Sequence, residues 1–180
     1  MQPEFTVPES FQCFLQKARS LDLGSLAYQL MYARSGPFWT RSQAAAAIAR
    51  YLGFLYLISE YPSFQLVPTP EIDQVWHHHL LDTEKYAADC QQLFGQFVHH
   101  FPYLGTGDEA DRRAWYQAYA LTLVLFRKHF GSDFTLSPIP ADCEPLQSLA
   151  GCRSRPTVRP TVALSLNEAW LSFAARQESF

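Results

Sequence analysis

Nowhere in this 180-residue chain do 18 apolar residues run together, so no segment reads as a membrane span. The apolar run from Leu52 to Ile58 sits inside an amphipathic pattern. Charge is scarce too. Fourteen Lys and Arg oppose 17 Asp and Glu, and no long run of one sign occurs. A net charge of −3 supplies no general attraction to a phosphate backbone, so nucleic acid is not an expected partner. The eight glycines form no glycine-rich tract. There is no P-loop, no Gly-x-Gly-x-x-Gly and no Gly-x-Ser-x-Gly, which removes phosphate cradles and nucleophile elbows. The compact zinc signature His-Glu-x-x-His is also missing. The four cysteines, Cys13, Cys90, Cys143 and Cys152, include no Cys-x-x-Cys pair. Cys143 and Cys152 are close enough in sequence to bridge, but the set reads as thiols of a reducing compartment. The first residues lack the basic start and apolar stretch of a secretory signal. The expectation is a cytoplasmic protein.

What remains is apolar and aromatic. Hydrophobic residues make up 48% and aromatic residues 15%, enough for one bulky core in one domain. Periodicity is helical nearly throughout. A helix follows Pro8 to about Ser20, with Phe11, Phe14, Leu15 and Ala18 on one face. A second spans about Ser25 to Ala33, before the breaker Ser35-Gly36-Pro37. Thr40 reads as the N-cap of a third, Arg41 to about Glu60. Thr69-Pro70 reads as N-cap and first-turn proline of a fourth, ending near Leu81. Asp82 or Thr83 caps a fifth, closed by Gly95 after Phe94. Asp108 caps the longest, Glu109 to Phe130. Beyond Gly131, five prolines between Pro138 and Pro160 forbid a long helix. Asn167 is placed to cap a last short helix. The sequence thus predicts an all-α single bundle of about six helices over residues 1–131. A proline-rich wrap or linker over 132–180 ends in a short helix.

Five of the six histidines fall between His77 and His100, among carboxylates, phenols and Cys90. These side chains are the common metal ligands and proton carriers. At 100° per residue, Ile72, Val75, Trp76, His79 and Leu80 form one apolar stripe. His79 is therefore expected inside and His78 in solvent. Asp73 and His77 lie side by side on the flank, where Asp73 can bond one ring nitrogen of His77 and orient the other. The rings of His77 and His79 diverge by about 200°, so His-x-His is not one chelate on an ideal helix. On the next helix Tyr86, Cys90, Leu93 and Phe94 face inward and Asp89 flanks them. A short connection makes the two helices antiparallel neighbours, which brings His79 toward Cys90. His99 or His100 returns after Gly95. His129, near a helix C-terminus, is expected to favour its charged form.

Three or four ligands from His77, His79, Cys90, His100 and Asp73 suit zinc or iron. The bland alternative makes His79 a hydrogen-bonded core histidine and Cys90 a small buried hydrophobe. A Cys90–His79 nucleophile pair is a further reading, opposed by the apolar surround that raises a thiol pKa. Trp76 belongs to the core or walls a pocket. Arg153, Arg155 and Arg159 form a basic tail patch, read as solvated.

Val67-Pro-Thr-Pro-Glu-Ile-Asp-Gln-Val-Trp-His-His-His-Leu-Leu, then Tyr86-Ala-Ala-Asp-Cys and Phe94-Gly with a following histidine, resembles the glycine-rich domain-containing protein-like family. Tyr51-Leu-Gly-Phe-Leu upstream is similar as well. The resemblance covers roughly residues 10–130 and is most specific over 66–100. It is a family known chiefly from plant proteins linked to stress and development, with no established reaction. The resemblance places its Asp-x-x-Trp-His-x-His core on Asp73, Trp76, His77 and His79. Its Tyr-x-x-Asp-Cys falls on Tyr86, Asp89 and Cys90, and its later histidine on His100, with His99 the alternative. Larger plant members carry a glycine-rich region and an RNA-binding module that this chain lacks, so nucleic-acid roles are not carried over.

The leading expectation is a semi-buried His/Cys/Asp site that binds a transition metal or small ligand. Its ligands are His77, His79, Cys90 and His100, with Asp73, Trp76, Tyr86 and Asp89 around them. The second is a non-enzymatic adaptor. In it the same motif is a structural hydrogen-bonded core, and an aromatic surface or the C-terminal tail meets a protein partner. Whether the chain is an enzyme, and which cofactor it takes, stays open in the residues alone.

Overall fold

A computed structural model describes residues 9–34, 36–131, 136–137, 139–141 and 159–164. Among them there are six helices and no strand. They are α1 (Glu9–Arg19), α2 (Gly24–Tyr32), α3 (Arg41–Glu60), α4 (Pro70–Leu81), α5 (Thr83–Phe94) and α6 (Glu109–Phe130). The protein is all-α, and α3, α4, α5 and α6 begin where the capping residues stand in the sequence. Thr40 forms a full capping box: its hydroxyl accepts from the Gln43 amide while the Gln43 side chain accepts from the Thr40 amide. Thr69 accepts from the Ile72 amide, and Pro70 takes the first helical position, where a missing N–H costs nothing. Asp108 accepts from Ala110 and Asp111. Gly95 closes α5 at φ 71°, left-handed backbone that side chains other than glycine rarely adopt.

Helix α3 is the axis. Its residues from Ala47 to Leu57 are buried nearly without interruption, including Tyr51, Phe54 and Tyr56. A helix that is apolar all round must be covered all round. It packs against α1, α2, α4 and α6. Gly53 lets α6 approach: a Cβ there would stand 3.3 Å from the Phe130 ring. Helix α4 is nearly as enclosed, touching α2, α3 and α5. Asp82 alone joins α4 to α5. Its amide donates to the His79 carbonyl and its carboxylate accepts from the Lys85 amide, so one residue ends the first helix and starts the second.

Short described stretches after α6 lie against the bundle. The Ala141 amide donates to the Pro68 carbonyl, and the Val162 amide donates to the Gly24 carbonyl. Arg159 pairs with Asp82. The rest of the predicted 132–180 wrap lies outside the described residues, including the Asn167 helix, Cys143, Cys152, Arg153 and Arg155. No described helix is long and apolar enough to cross a membrane.

Candidate functional site

Asp73 and His77 sit one turn apart on α4, and His100 arrives from the segment after α5. Asp73 Oδ2 lies 3.3 Å from His77 Nδ1, and Asp73 Oδ1 lies 2.9 Å from His100 Nε2. A carboxylate only accepts, so His100 Nε2–H is the donor there. The His77 and His100 rings stand 4.8 Å apart, and Trp76 packs edge-on to His100 at 4.5 Å. One ligand atom from each of Asp73, His77 and His100 falls within 4.8 Å of the others. The Asp73 and His100 side chains are each 8% exposed, whereas His77 is 20% exposed and borders solvent. Burial lowers the pKa of His77, the Asp73 charge opposes this, and His100 adds to the lowering. The result favours the neutral imidazole, which is the form that binds metals.

A second polar network lies deeper. His79 Nε2 is 3.0 Å from Asp89 Oδ2, and Lys85 Nζ is 2.5 Å from the same carboxylate. His79 Nδ1 is 2.9 Å from the Tyr51 hydroxyl. One tautomer satisfies every partner. The Asp89 carboxylate requires Nε2 to carry the proton, which leaves Nδ1 to accept from Tyr51. Burial holds the Tyr51 phenol well above its usual pKa, with nearby Tyr86, Cys90 and Asp89 adding to the effect, so it stays a donor. Alongside, Trp76 Nε1 donates to the Tyr86 hydroxyl at 2.9 Å, and that hydroxyl donates to the Val98 carbonyl at 2.5 Å. Cys90 meets the same Tyr86 hydroxyl and Val98, and burial pushes its thiol pKa up. A raised thiol pKa does not suit a nucleophile.

The four ligands expected from sequence are thus distributed over two neighbourhoods. His77 and His100 converge with Asp73. His79 belongs with Tyr51, Asp89 and Lys85, and Cys90 with Tyr86 and Val98. Both of the latter touch Tyr86, since His79 meets its ring edge-on at 5.0 Å. His99 is exposed, so His100 is the histidine that returns to the site.

Two expectations need correction. His78 is not solvated: it is 6% exposed. A single-stripe reading assumes one covered face, but α2 and the Arg159–Pro160 stretch cover the opposite side of α4. His129 does not favour its charged form. Burial lowers its pKa first, Lys128 lowers it further, and Glu60 opposes them. Its Nε2 bonds the Tyr61 hydroxyl at 2.8 Å. Tyr51 and Lys85 were not singled out as site residues. Lys85 had a signal, since it stands four residues before Asp89. Tyr51 had only its hydroxyl in an otherwise apolar stripe, which requires a buried partner without naming it.

Beside the first group opens a cleft of about 200 Å3. Buried Trp76 and Val67, His100 and Leu104 line it, together with the exposed rings of Phe64 and Phe101.

Residues 24–89 match the family described as Glycine-rich domain-containing protein-like. The match includes Asp73, His77, His79 and the network around Asp89, and stops before Cys90 and His100. Glycine-rich domain-containing protein 1 of Arabidopsis thaliana is 41% identical over 58 residues, 30% of this chain and 7% of that protein. Glycine-rich domain-containing protein 2 of the same plant matches to the same extent. The aligned segment is thus a small part of these curated relatives. No solved structure matches the chain.

Proposed function

From the match of residues 24–89 to the glycine-rich domain-containing protein-like family, we propose that the chain binds one divalent transition ion, zinc or iron(II). The ligands are Asp73, His77 and His100. The observation that carries this reading is the convergence of two imidazoles on one buried carboxylate. Ligand atoms about 2.1 Å from an ion stand about 3.0 to 3.4 Å apart in octahedral or tetrahedral geometry. Asp73 Oδ2 lies 3.3 Å from His77 Nδ1, within that range, and Asp73 Oδ1 lies 2.9 Å from His100 Nε2, just below it. Two histidines and a carboxylate leave coordination positions open, the arrangement of catalytic rather than purely structural ions. His79 and Cys90 fall outside this set and act in the core beneath it.

Elemental mass spectrometry on untagged protein tests the proposal. Near-stoichiometric zinc or iron is expected, lost in Asp73→Asn and His77→Ala and retained in Cys90→Ala. Each variant is checked for an unchanged helical spectrum. A folded protein that carries no ion after reconstitution with either metal overturns the proposal.

One observation favours a second reading, the adaptor. The His79 network is internally satisfied, as a purely structural core requires. In that case Asp73→Asn would lower the melting temperature without any metal to lose.

A further inference from the structure

We propose that the groove between the start of α2 and the α4–α5 joint binds an extended segment of a partner protein, one in which an arginine is followed by apolar side chains three and five positions later. The chain's own residues 159–164 sit in that groove and supply the template. Val162 and Leu164 are half-buried, between exposed Thr161 and Ala163. Such alternation marks an extended backbone laid along a surface, with every second side chain turned in. At one end the Arg159 fork closes on Asp82, with Nε 2.5 Å from one oxygen and Nη2 2.9 Å from the other, and Glu84 stands 3.8 Å away. Pro160 shares a small space with Ser25, Gln29 and His78. The Val162 amide then donates to the Gly24 carbonyl at 3.0 Å, and Leu164 packs on the main core.

Gly24 makes the groove. A Cβ there would stand 2.1 Å from Thr161 Oγ1 and 2.6 Å from the Val162 carbonyl oxygen, so a residue without a side chain lets the extended backbone come this close. Helix formation does not ask for glycine at that position, since alanine forms helix better. The occupant in cis is weakly held. Its ion pair is open to solvent, with Arg159 46% and Asp82 31% exposed, and such pairs add little. Its apolar side chains are also small for their surroundings. Residues 161–164 line a space of about 1050 Å3 whose walls include Leu21, Leu23, Ala45 and Ala46. A partner segment with larger apolar side chains in the places of Val162 and Leu164 buries more surface there. It must displace a competitor that its covalent tether holds at an effective concentration on the order of millimolar.

Fluorescence polarisation on the full chain tests this with two labelled peptides, Arg-Pro-Thr-Val-Ala-Leu and the same sequence with phenylalanine in its fourth and sixth places. Arg159→Glu/Leu164→Asp sets a carboxylate against Asp82 and Glu84 and a charge against the core, which releases the cis segment. The released chain should bind both peptides about tenfold more tightly than the unaltered chain, because the competitor is gone. The phenylalanine peptide should bind the tighter of the two. Gly24→Ala added to the released chain should weaken both by about tenfold or more while the helical spectrum stays unchanged. No binding of either peptide to a folded released chain overturns the site, as does binding that Gly24→Ala leaves unchanged. Equal binding by the released and unaltered chains overturns residues 159–164 as the template. Weaker binding of the phenylalanine peptide overturns the bulkier partner. A dimer of the released chain that Gly24→Ala dissolves, seen by sedimentation, overturns the foreign partner and gives the groove to a second copy.

Discussion

At the scale of single residues, the buried imidazole of His79 holds two helices and the core tyrosine together through one tautomer. Deleting it leaves the Tyr51 hydroxyl and one Asp89 oxygen without that partner inside the protein. His79→Ala is expected to cost about 3 kcal/mol, combining lost packing with stranded polar groups. Tyr51→Phe removes only the hydroxyl and should cost about 1 to 2 kcal/mol. Chemical denaturation of both variants checks the order, and equal, near-zero costs would remove His79 from the core network. His129 carries a pH dependence whose sign follows from its lowered pKa. The unfolded chain binds the proton more readily, so the contribution of His129 to stability is complete above its unfolded pKa of about 6.5 and declines as pH falls through that value. His129→Gln should flatten this part of a melting-temperature curve between neutral and mildly acidic pH. Much of this scale was legible: the 100° advance alone put His79 inside, and the four-residue spacing put Asp73 beside His77. The pairing of His79 with Tyr51 was not, because they stand 28 positions apart and no local pattern encodes which phenol meets which ring.

At the scale of elements, the helices were nearly fully legible, because α3, α4, α5 and α6 each begin on a side chain whose chemistry is to satisfy free amides. Thr40, Thr69 and Asp108 all do so. Thr69 is buried, so its loss is not repaired by water. Thr69→Ala should cost about 1 to 2 kcal/mol, more than the same change at exposed Thr40. Thermal melts of the two variants make the comparison. The reverse order would mean that the start of α4 is held by its packing and not by its cap. What the element scale concealed was the surroundings of α4. Its apolar stripe marks one covered face, whereas α2 and the stretch at Arg159 cover a second and enclose His78. A polar side chain on a doubly covered helix carries no periodic signature, since the stripe it interrupts is not apolar.

At the scale of the molecule, α3 is the axis and α4 lies against it, so the most enclosed helix after the axis also carries the polar groups. That order of neighbours could not be read from one sequence, because any of the apolar faces fits any other in composition. It explains why the candidate site has two depths. The face of α4 toward α5 and the axis holds His79 in a closed network, while its flank, met by the segment returning after Gly95, leaves His77 at the border of solvent. Substitutions in the deep network should therefore act on melting temperature and those at Asp73 or His77 on ion content, a separation that parallel melting and metal measurements on one variant panel would reveal.

The single-residue joint at Asp82 acts as a ruler. One residue added there would turn α5 by about 100° against α4. Asp89 would leave His79, and Tyr86 would leave the indole of Trp76. Both contacts depend on the number of residues between Trp76 and Asp89, not merely on their identity. Natural insertions and deletions in related chains should accordingly collect in the flanks and spare this hairpin, which can diverge in side chains but not in length.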